Sequence, residues 1–401
     1  MKVGIPMNIK ILVLLMISIC LSMTIPIHSL SAEVNHDNEN IILTKLGYID
    51  TIGQANDVIV KGDIAYVSDM GLDYNTTGGL YIFNVSDPNH PTQLGYFYDG
   101  GRSHKLQFLN ESILLIGDNT GGLEIFDVSN SSNPTKIGNF KGANYINGLA
   151  IVGKNVLATS FTEGVIVVDI SNLSHPIELS RFSLTNVQPI SLYENYAFVS
   201  GLNGLHILDI SDLSNITEIS TYDYDISNII FKDDLAYAAC SGSILAPAQG
   251  FKIFNISDVK NIQELGTFDT GGHPTDLYLE QNYVFVSDYD KGIDVLNINN
   301  SSQIIEETNF FDGGNALGLT FVNNLLYVAN GKTGLEILKM ELTYINSSSD
   351  SVISKDSQST NSSTDLIVSR DSHNTPGYEI TYVLLPVIFL TIKKKRNHQK
   401  K

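Results

Sequence analysis

The chain has 401 residues and a formal net charge of −19, because 43 Asp and Glu residues outnumber 24 Lys and Arg residues. Hydrophobic residues make up 43% of the chain, which is enough for a sizeable core and excludes wholesale disorder. A surface this acidic repels phosphate backbones, so nucleic acid is excluded as a general partner. The two cysteines, Cys20 and Cys240, allow at most one disulfide, so disulfides do not hold the fold together.

Residues 1–32 have the order of a secretory signal peptide. Lys2 and Lys10 precede an apolar run over residues 11–23, and small residues follow at 29–32. The run is too short for a comfortable membrane span, and the small residues fit a cleavage site. We therefore expect export of the chain. A retained N-terminal anchor is the alternative.

One unit is repeated seven times between residues 41 and 343. Each copy contains a glycine followed by alternating apolar positions and a polar stop, as in residues 122–129 and 164–171. Within each period, four short runs have strand character, and turn residues separate them. In the first copy these runs are 56–60, 64–68, 80–85 and 93–98. The pattern predicts an all-β fold: a seven-bladed β-propeller of four-stranded blades. An open solenoid is the alternative.

The ends of the repeat array indicate how the ring closes. The last copy supplies only three strand runs, 317–321, 325–329 and 335–342. Before the first copy lies Leu43–Asp50, which has the pattern of a fourth strand. We therefore expect the N-terminal strand 43–50 to complete blade seven and close a monomeric ring, which leaves no exposed sheet edge.

Aligning the repeats places polar residues on one face of the ring. Innermost strands should begin near Asp57, Gly148, Pro189, Asn228, Asp276 and Gly318, with His104 or Lys105 from blade two. The second strands should end on the same face. The candidate binding residues of this acidic face, near the mouth of the channel, are Asp57, Asp69, His104, Asp118, His273, Asp276 and Asp288.

These residues do not form a recognisable catalytic or metal motif. The histidines lack metal-ligand spacing, and no nucleophile elbow, Cys-x-x-Cys pair or phosphate-binding glycine loop occurs. We predict neither a catalytic residue nor a cofactor nor a metal site. A weakly held Ca²⁺ at the acidic face is the alternative, but aspartates that cap turns explain the pattern more simply.

The stretch 241–250 is longer than its counterparts in the other copies and lies on the same face. Its tip carries apolar side chains where the other loops are short and polar. Exposed apolar loop tips often mark partner contacts, so we predict a partner loop at this position. Its residues are Ile244, Leu245, Ala246 and Pro247.

The C-terminal part reads as linker, apolar stretch and basic stop. Residues 344–377 are rich in Ser, Thr and Asn and predict a flexible linker. Residues 378–396 combine an apolar stretch with the basic cluster Lys393–Arg396, which predicts a transmembrane or sorting anchor whose basic tail stays in the cytoplasm. This ending resembles the C-terminal anchor or sorting signals of archaeal surface proteins.

N-glycosylation sequons agree with an extracellular propeller. Asn84 and Asn255 also match the sequon, but they occupy the repeated strand and are interpreted as structural. The candidates that fall in turns or at strand edges are Asn75, Asn110, Asn130, Asn172, Asn215 and Asn300.

The repeated phrases, with a proline a few residues on and then Leu-Gly, resemble LVIVD repeats over residues 41–342. The resemblance implies a β-propeller of a bacterial or archaeal surface or secreted protein, and it supplies no shared catalytic motif. Two functions remain open. One is an extracellular, surface-anchored, non-catalytic module that binds a protein or a glycan. The other is a secreted propeller enzyme, a hydrolase or lyase, acting on extracellular polysaccharide.

Overall fold

The computed structural model describes residues 39–72, 78–98, 101–187, 189–242, 250–344, 353–355, 379–381 and 391–393. Every regular element in these ranges is a β-strand. The chain divides into two compact units, Met1–Ser357 and Gln358–Lys401. The first unit holds the repeats. In the second, the described residues form two short antiparallel strands, Glu379–Thr381 and Thr391–Lys393.

The repeats form seven antiparallel sheets, which confirms the predicted seven-bladed propeller. Blade 1 contains β2 (Ala55–Lys61), β3 (Ile64–Asp69), β4 (Gly79–Asn84) and β5 (Thr92–Phe97). Blade 2 contains β6 (Ser103–Phe108), β7 (Ile113–Asp118), β8 (Gly122–Asp127) and β9 (Thr135–Phe140). Blade 3 contains β10 (Ile146–Val152), β11 (Asn155–Ser160), β12 (Gly164–Asp169) and β13 (Ile177–Phe182). Blade 4 contains β14 (Ile190–Tyr193), β15 (Tyr196–Gly201), β16 (Gly204–Asp209) and β17 (Thr217–Tyr222).

The remaining blades follow the same order. Blade 5 contains β18 (Asn228–Lys232), β19 (Leu235–Cys240), β20 (Gly250–Asn255) and β21 (Gln263–Phe268). Blade 6 contains β22 (Asp276–Glu280), β23 (Tyr283–Ser287), β24 (Ile293–Asn297) and β25 (Ile305–Phe310). Blade 7 contains β26 (Gly318–Val322), β27 (Leu325–Ala329) and β28 (Leu335–Tyr344) from the last copy, and β1 (Glu39–Ile49) from the start of the described chain.

The N-terminal strand closes the ring, as predicted. β1 pairs antiparallel with β28 from Glu39 opposite Tyr344 to Ile49 opposite Leu335. The innermost strands then contact one another in sequence around the ring, and β26 of blade 7 contacts β2 of blade 1. Both ends of the ring therefore meet in blade 7. A further short strand, Ile353–Lys355, pairs with the end of β28.

The hydrophobic core lies between the blades rather than within any one of them. Second and third strands are buried on both faces, which explains why their apolar residues run almost without interruption. One cluster joins Tyr66 and Ile82 of blade 1 to Leu114 and Phe126 of blade 2. Because each blade completes its core against two neighbours, the ring stabilises all seven together.

The polar stop of the repeat is an Asx turn. The Asp127 carboxylate accepts a hydrogen bond from the Ser129 backbone N–H at 2.9 Å, and Asn255 accepts one from Ser257 at the same distance. The same side-chain contact ends the third strand whether the residue is Asp or Asn. This geometry supports the structural interpretation of Asn84 and Asn255.

Candidate functional site

The mouth of the channel holds a polar cavity of about 220 Å³, lined by the inner edges of the blades that the alignment of the repeats predicts to meet. Its lining includes Asp57, His104, Lys105, Asn147, Pro189, Asn228, Asp276 and Gly318. The innermost strands begin at or near these positions, so the cavity is a consequence of ring closure. Asp57, His104 and Asp276 therefore lie around one concave site.

Lys105 provides the positive charge of this cavity. Its Nζ lies 3.2 Å from Asp57 Oδ1. Burial alone would lower the pKa of Lys105, but the charges of Asp57 and Asp276 and the hydrogen bond to Asp57 outweigh it, so the pKa is raised. Lys105 thus remains protonated between two acids, and its charge is compensated within the cavity.

Each carboxylate also binds the backbone of the next blade. Asp57 Oδ2 accepts a hydrogen bond from the Leu106 N–H at 2.8 Å, and Asp276 Oδ2 accepts one from the Leu319 N–H at 3.0 Å. The Asn228 amide donates to the other oxygen of Asp276. Burial raises the pKa of Asp276, and Lys105 opposes that shift. These two acids consequently join blades 1 and 2, 5 and 6, and 6 and 7.

His104 is neutral in the folded chain. Burial and the nearby Arg102 charge lower the pKa of His104 to about 4, although Asn119 opposes the shift. Within the described residues, its buried Nε2 has no hydrogen-bond partner. Its backbone carbonyl accepts hydrogen bonds from Ser68 and Asn56 of blade 1 at 2.7 and 2.9 Å. A histidine this weakly basic is poorly suited to general base catalysis near neutral pH.

Asp69 and Asp118 are fully buried at the ends of β3 and β7 and cap turns. Asp69 accepts backbone hydrogen bonds from Gly53, Gln54 and Gly71 at 3.2, 3.1 and 2.5 Å. Asp118 accepts them from Thr120 and Gly121 at 2.8 and 2.6 Å. The turn-capping interpretation therefore describes both residues, and neither carboxylate faces solvent.

Asp288 occupies the equivalent place in blade 6 and is also buried. Burial raises the pKa of Asp288 to about 6, while the Thr270 hydroxyl and the neighbouring His273 oppose the shift. His273 lies beside Ser241, with its Nδ1 3.2 Å from the Ser241 carbonyl oxygen. Of the predicted face, the structure thus groups three residues at the cavity, buries three more under loops and places His273 away from the cavity lining.

The loop glycines that precede the innermost strands are explained by these buried acids. A Cβ on Gly101 would lie 2.3 Å from Asp118 Oδ2, and one on Gly272 would lie 2.4 Å from Asp288 Oδ2. Any side chain would displace the carboxylate. Gly101 and Gly272 therefore leave room for the buried carboxylates of Asp118 and Asp288.

Sequence analysis missed a set of charge pairs that link the third and fourth strands. Glu124 binds Lys136 at 2.7 Å in blade 2, and Lys252 binds Glu264 at 3.0 Å in blade 5. The partners are twelve residues apart in both blades, as are Asp294 and Glu306 in blade 6. This fixed spacing of charged residues is the sequence pattern from which the pairs could have been predicted.

A second cavity, of about 510 Å³, also escaped the sequence analysis. It lies between blades 3 and 4 and is lined by Thr162, Glu163, Arg181, Ser183, Leu184, Thr185, Leu202, Asn203 and His206. Its residues come mainly from three loops that are separated in sequence. No spacing motif could have identified it.

Other candidate groups do not add chemistry to the described part of the chain. The residues that the structure describes contain no group of three or more His, Cys, Asp or Glu placed to hold a metal ion. Cys240 is buried, and burial raises the pKa of its thiol to about 12, which leaves it unreactive. The predicted partner loop, Ile244, Leu245, Ala246 and Pro247, lies outside the described residues, as does Asn75.

The predicted signal peptide at 1–32 and most of the predicted linker and anchor also lie outside the described residues. No helix long and apolar enough to cross a membrane occurs among the residues described.

The candidate glycosylation sites other than Asn75 lie in turns. Asn110 lies between the first and second strands of its blade, and the rest lie between third and fourth strands. Antiparallel geometry puts those turns at the end of the blades opposite the channel cavity. The sequons between third and fourth strands are Asn130, Asn172, Asn215 and Asn300.

Comparison with known families decides the kind of repeat. The LVIVD repeat model matches residues 52–99, 111–141, 146–183, 186–224 and 271–312. The chain is an LVIVD-repeat β-propeller. The matches correspond to blades 1, 2, 3, 4 and 6, and blades 5 and 7 are four-stranded in the same way.

Solved structures with a similar fold are found at low sequence identity. A chain of the mitotic checkpoint complex is 16% identical with a TM-score of 0.59, covering 74% of this chain and 94% of that one. Virginiamycin B lyase from Staphylococcus aureus is 13% identical with a TM-score of 0.56, covering 75% and 99%. BamB from Moraxella catarrhalis is 15% identical with a TM-score of 0.51, covering 74% and 98%. At such identities the likeness establishes the fold alone. No curated protein matches the sequence.

Proposed function

We propose that this LVIVD-repeat propeller is an extracellular, surface-anchored, non-catalytic module that binds a protein or a glycan through the face carrying the channel cavity. The observation that carries the proposal is the state of the cavity's charged groups. Asp57 is paired with Lys105, the charge of Asp276 also acts on that lysine, and both acids bind backbone N–H groups of neighbouring blades, so they hold a concave polar surface in place. Fixed polar groups around a concavity suit recognition.

The cavity also supports one specific alternative. It brings His104, Asp57 and Asp276 together, as a hydrolase or lyase acting on polysaccharide would require. The protonation states of His104 and Lys105 argue against that chemistry. The pKa of His104 is lowered to about 4, and Lys105 is held protonated. A general base works best with a pKa near the operating pH. Binding is therefore the function proposed first.

Three further features support a free binding face on an exported protein. The signal-peptide pattern at 1–32 and the apolar, basic ending at 378–396 fit export and anchoring. The sequon-bearing turns lie on the opposite side, where glycans would not cover the cavity. β28 also runs away from the cavity face to Tyr344, so the linker begins on that opposite side.

One experiment separates binding from catalysis. The full chain is incubated with immobilised neutral and acidic polysaccharides and with a panel of purified surface proteins, and retention and released reducing or unsaturated ends are both measured. We expect retention without product. Asp57→Asn combined with Asp276→Asn should weaken retention, whereas Asp87→Asn, in an exposed turn of the opposite face, should not. Product formation that His104→Ala abolishes would instead establish the enzyme.

Two additional tests address the remaining predictions. Deleting Ile244–Ala248 should reduce retention with unchanged thermal unfolding, if this segment is the partner loop. Protease treatment of intact cells should cleave the propeller while leaving the basic tail protected. A full-length, untrimmed chain in the soluble cytoplasmic fraction would contradict the proposed address.

A further inference from the structure

The cavity between blades 3 and 4 has the features of a preformed ligand site. It measures about 510 Å³, within the roughly 300–1,000 Å³ typical of small-ligand pockets. It opens on the same face as the channel cavity, because its loops follow second strands or precede first strands. We call it the 3/4 cleft.

Backbone hydrogen bonds lock the loops around the 3/4 cleft together. The Phe161 N–H donates to the Tyr145 carbonyl at 3.2 Å, and the Asn186 N–H donates to the Phe161 carbonyl at 2.9 Å. The Leu202 N–H donates to the Thr185 carbonyl at 2.8 Å. Tyr145 and Asn186 adopt positive φ angles of 53° and 56°, a conformation that costs energy and is retained only where the surroundings enforce it. The cleft walls are thus held in one arrangement before any ligand arrives, which lowers the entropic cost of binding.

The charges of the 3/4 cleft are balanced by partners within the protein. Burial would raise the pKa of Glu163, but the Ser160 and Thr162 hydroxyls and the Arg181 charge outweigh it and lower the pKa. Arg181 forms a two-point ion pair with Glu178, with Nη2–Oε2 and Nε–Oε1 distances of 2.8 and 3.1 Å. A charged ligand would therefore find these charges already neutralised.

Hydroxyl-bearing and apolar groups surround these balanced charges. Thr162, Ser183 and Thr185 line the cleft, and Leu184 and Leu202 provide an apolar wall. Leu202 of this wall is 48% exposed, and Phe161, which precedes the lining residue Thr162, is 43% exposed. An apolar wall beside a few placed polar groups is the usual lining of a small-ligand site.

We infer that the 3/4 cleft binds an uncharged, hydroxyl-rich ligand with an apolar face, which is the chemistry of a neutral oligosaccharide. The ring hydroxyls would bond to Glu163, Arg181 and the threonine hydroxyls, and the C–H face of a sugar ring would lie against the wall formed by Leu184 and Leu202. This inference rests on the proposed function, since it specifies a glycan as the partner, but it places the contact beside the channel cavity rather than in it.

The absence of tryptophan from the sequence allows a direct test. Phe161→Trp introduces a single tryptophan beside the cleft of the full chain, next to the lining residue Thr162. Tyr289→Trp is the matched control, because Tyr289 follows the second strand of blade 6, as Phe161 follows that of blade 3, and is 38% exposed. Both variants are titrated with neutral hexose and N-acetylhexosamine oligomers and with uronic acid oligomers. We expect saturable fluorescence changes only for Phe161→Trp and only with neutral oligomers.

Calorimetry on the unsubstituted chain and on Glu163→Gln provides an independent measurement. Removing a charged hydrogen-bond acceptor should weaken binding about tenfold. Glu111→Gln, an exposed acid in the turn between β6 and β7 and outside the cleft, is the control and should bind normally. Titration with free oligomers and with the same sugars immobilised as polysaccharide distinguishes a chain end from an internal segment as the ligand.

Every outcome either supports or overturns the inference. Tighter binding of uronic acid oligomers, or no binding of neutral ones by either method, would overturn it. Calorimetric binding that leaves Phe161→Trp silent and is unaffected by Glu163→Gln would also overturn it, yet it would leave the proposed binding function standing. Retention of purified surface proteins without any sugar binding would likewise overturn the inference and leave the proposed binding function standing.

Discussion

Blades 5 and 6 carry charged residues at the same two positions, but the charges are opposite in sign in blade 5 and alike in blade 6. In blade 5, Lys252 of β20 binds Glu264 of β21 at 3.0 Å. In blade 6, the equivalent positions hold two acids, Asp294 and Glu306, and the pKa of Asp294 rises to about 7 because burial is reinforced by the Asp288 and Glu306 charges. The backbone registers are the same, with Phe254 opposite Glu264 and Leu296 opposite Glu306. The repeat therefore fixes the backbone geometry, while the charged residues at these two positions differ from blade to blade.

Blade 7 shows an intermediate arrangement. Lys45 of β1 lies 2.7 Å from Glu336 and also binds Asp312. The hydrogen bonds of Asp312 with Glu336 and Lys45 outweigh burial and lower the pKa of Asp312 to about 2, while burial and Asp312 raise the pKa of Glu336 to about 7. The lysine thus holds one of the two acids ionised, whereas blade 6 has Glu306 at the position of Lys45.

The largest effect should come from giving blade 5 the arrangement of blade 6. Lys252→Glu would place two acids together where the lysine side chain is now only 11% exposed. We expect a loss of about 2–3 kcal/mol in the free energy of unfolding at pH 8, because an acid would stand at a largely buried position beside Glu264 with no cation to compensate either charge. Chemical denaturation measures it. Adding Glu264→Lys restores the pair in reverse and should recover most of the loss; no recovery would mean that packing, not charge, dominates.

Neutralising Asp294 should stabilise the chain at alkaline pH. Its pKa is higher in the folded than in the unfolded chain, so its contribution to stability is fully present below about pH 4 and is lost as the pH rises towards 7. Asp294→Asn should therefore raise the free energy of unfolding by about 1–2 kcal/mol at pH 8. At pH 4 the variant should show no gain. Denaturation at the two pH values, with Asp87→Asn as the exposed control, checks the sign.

Supplying a lysine to blade 6 should have a smaller effect. Glu306→Lys replaces an exposed acid with the residue type found at the equivalent positions 136 and 45. We expect about 1 kcal/mol of stabilisation at pH 8, reduced because Glu306 is exposed to solvent. The pKa of Asp294, followed by NMR titration of its carboxyl carbon, should fall. An unchanged pKa would show that burial alone sets it.

The smallest effect is expected for Asp288, whose pKa is raised by burial only to about 6 because Thr270 and His273 oppose the shift. Asp288→Asn should stabilise the folded chain by about 0.5–1 kcal/mol at pH 8 and not at pH 4. Thermal unfolding across this pH range is the measurement. A stabilisation larger than that of Asp294→Asn would contradict the ranking of the two acids by their pKa.

The architecture was predictable because it depends on periodicities that a single sequence carries. The glycine period indicated the blade count, and the likeness of residues 43–50 to fourth strands predicted the closure that β1 and β28 confirm. Repeat alignment also brought Asp57, His104 and Asp276 to one cavity. These features are local or follow from symmetry.

Burial and pairing were not predictable in the same way. Asp69, Asp118 and Asp288 have the pattern of surface acids, and only the loops folded over them show that they are buried. The 3/4 cleft depends on three loops that meet across two blades, so no run of residues indicates it. Charge pairs at a spacing of twelve could have been found, but their meaning requires the register of the third and fourth strands.

Blade closure also determines how the ring would carry mechanical load. The C-terminal segment continues from β28, which lies between β27 and β1 rather than at the edge of its sheet. If that segment is the anchor, tension between a surface and a partner held on the opposite face would pull β28 along its own axis. The hydrogen bonds to both neighbouring strands would then be sheared together instead of being peeled apart one by one. The strand that closes the ring would thereby also strengthen the tether.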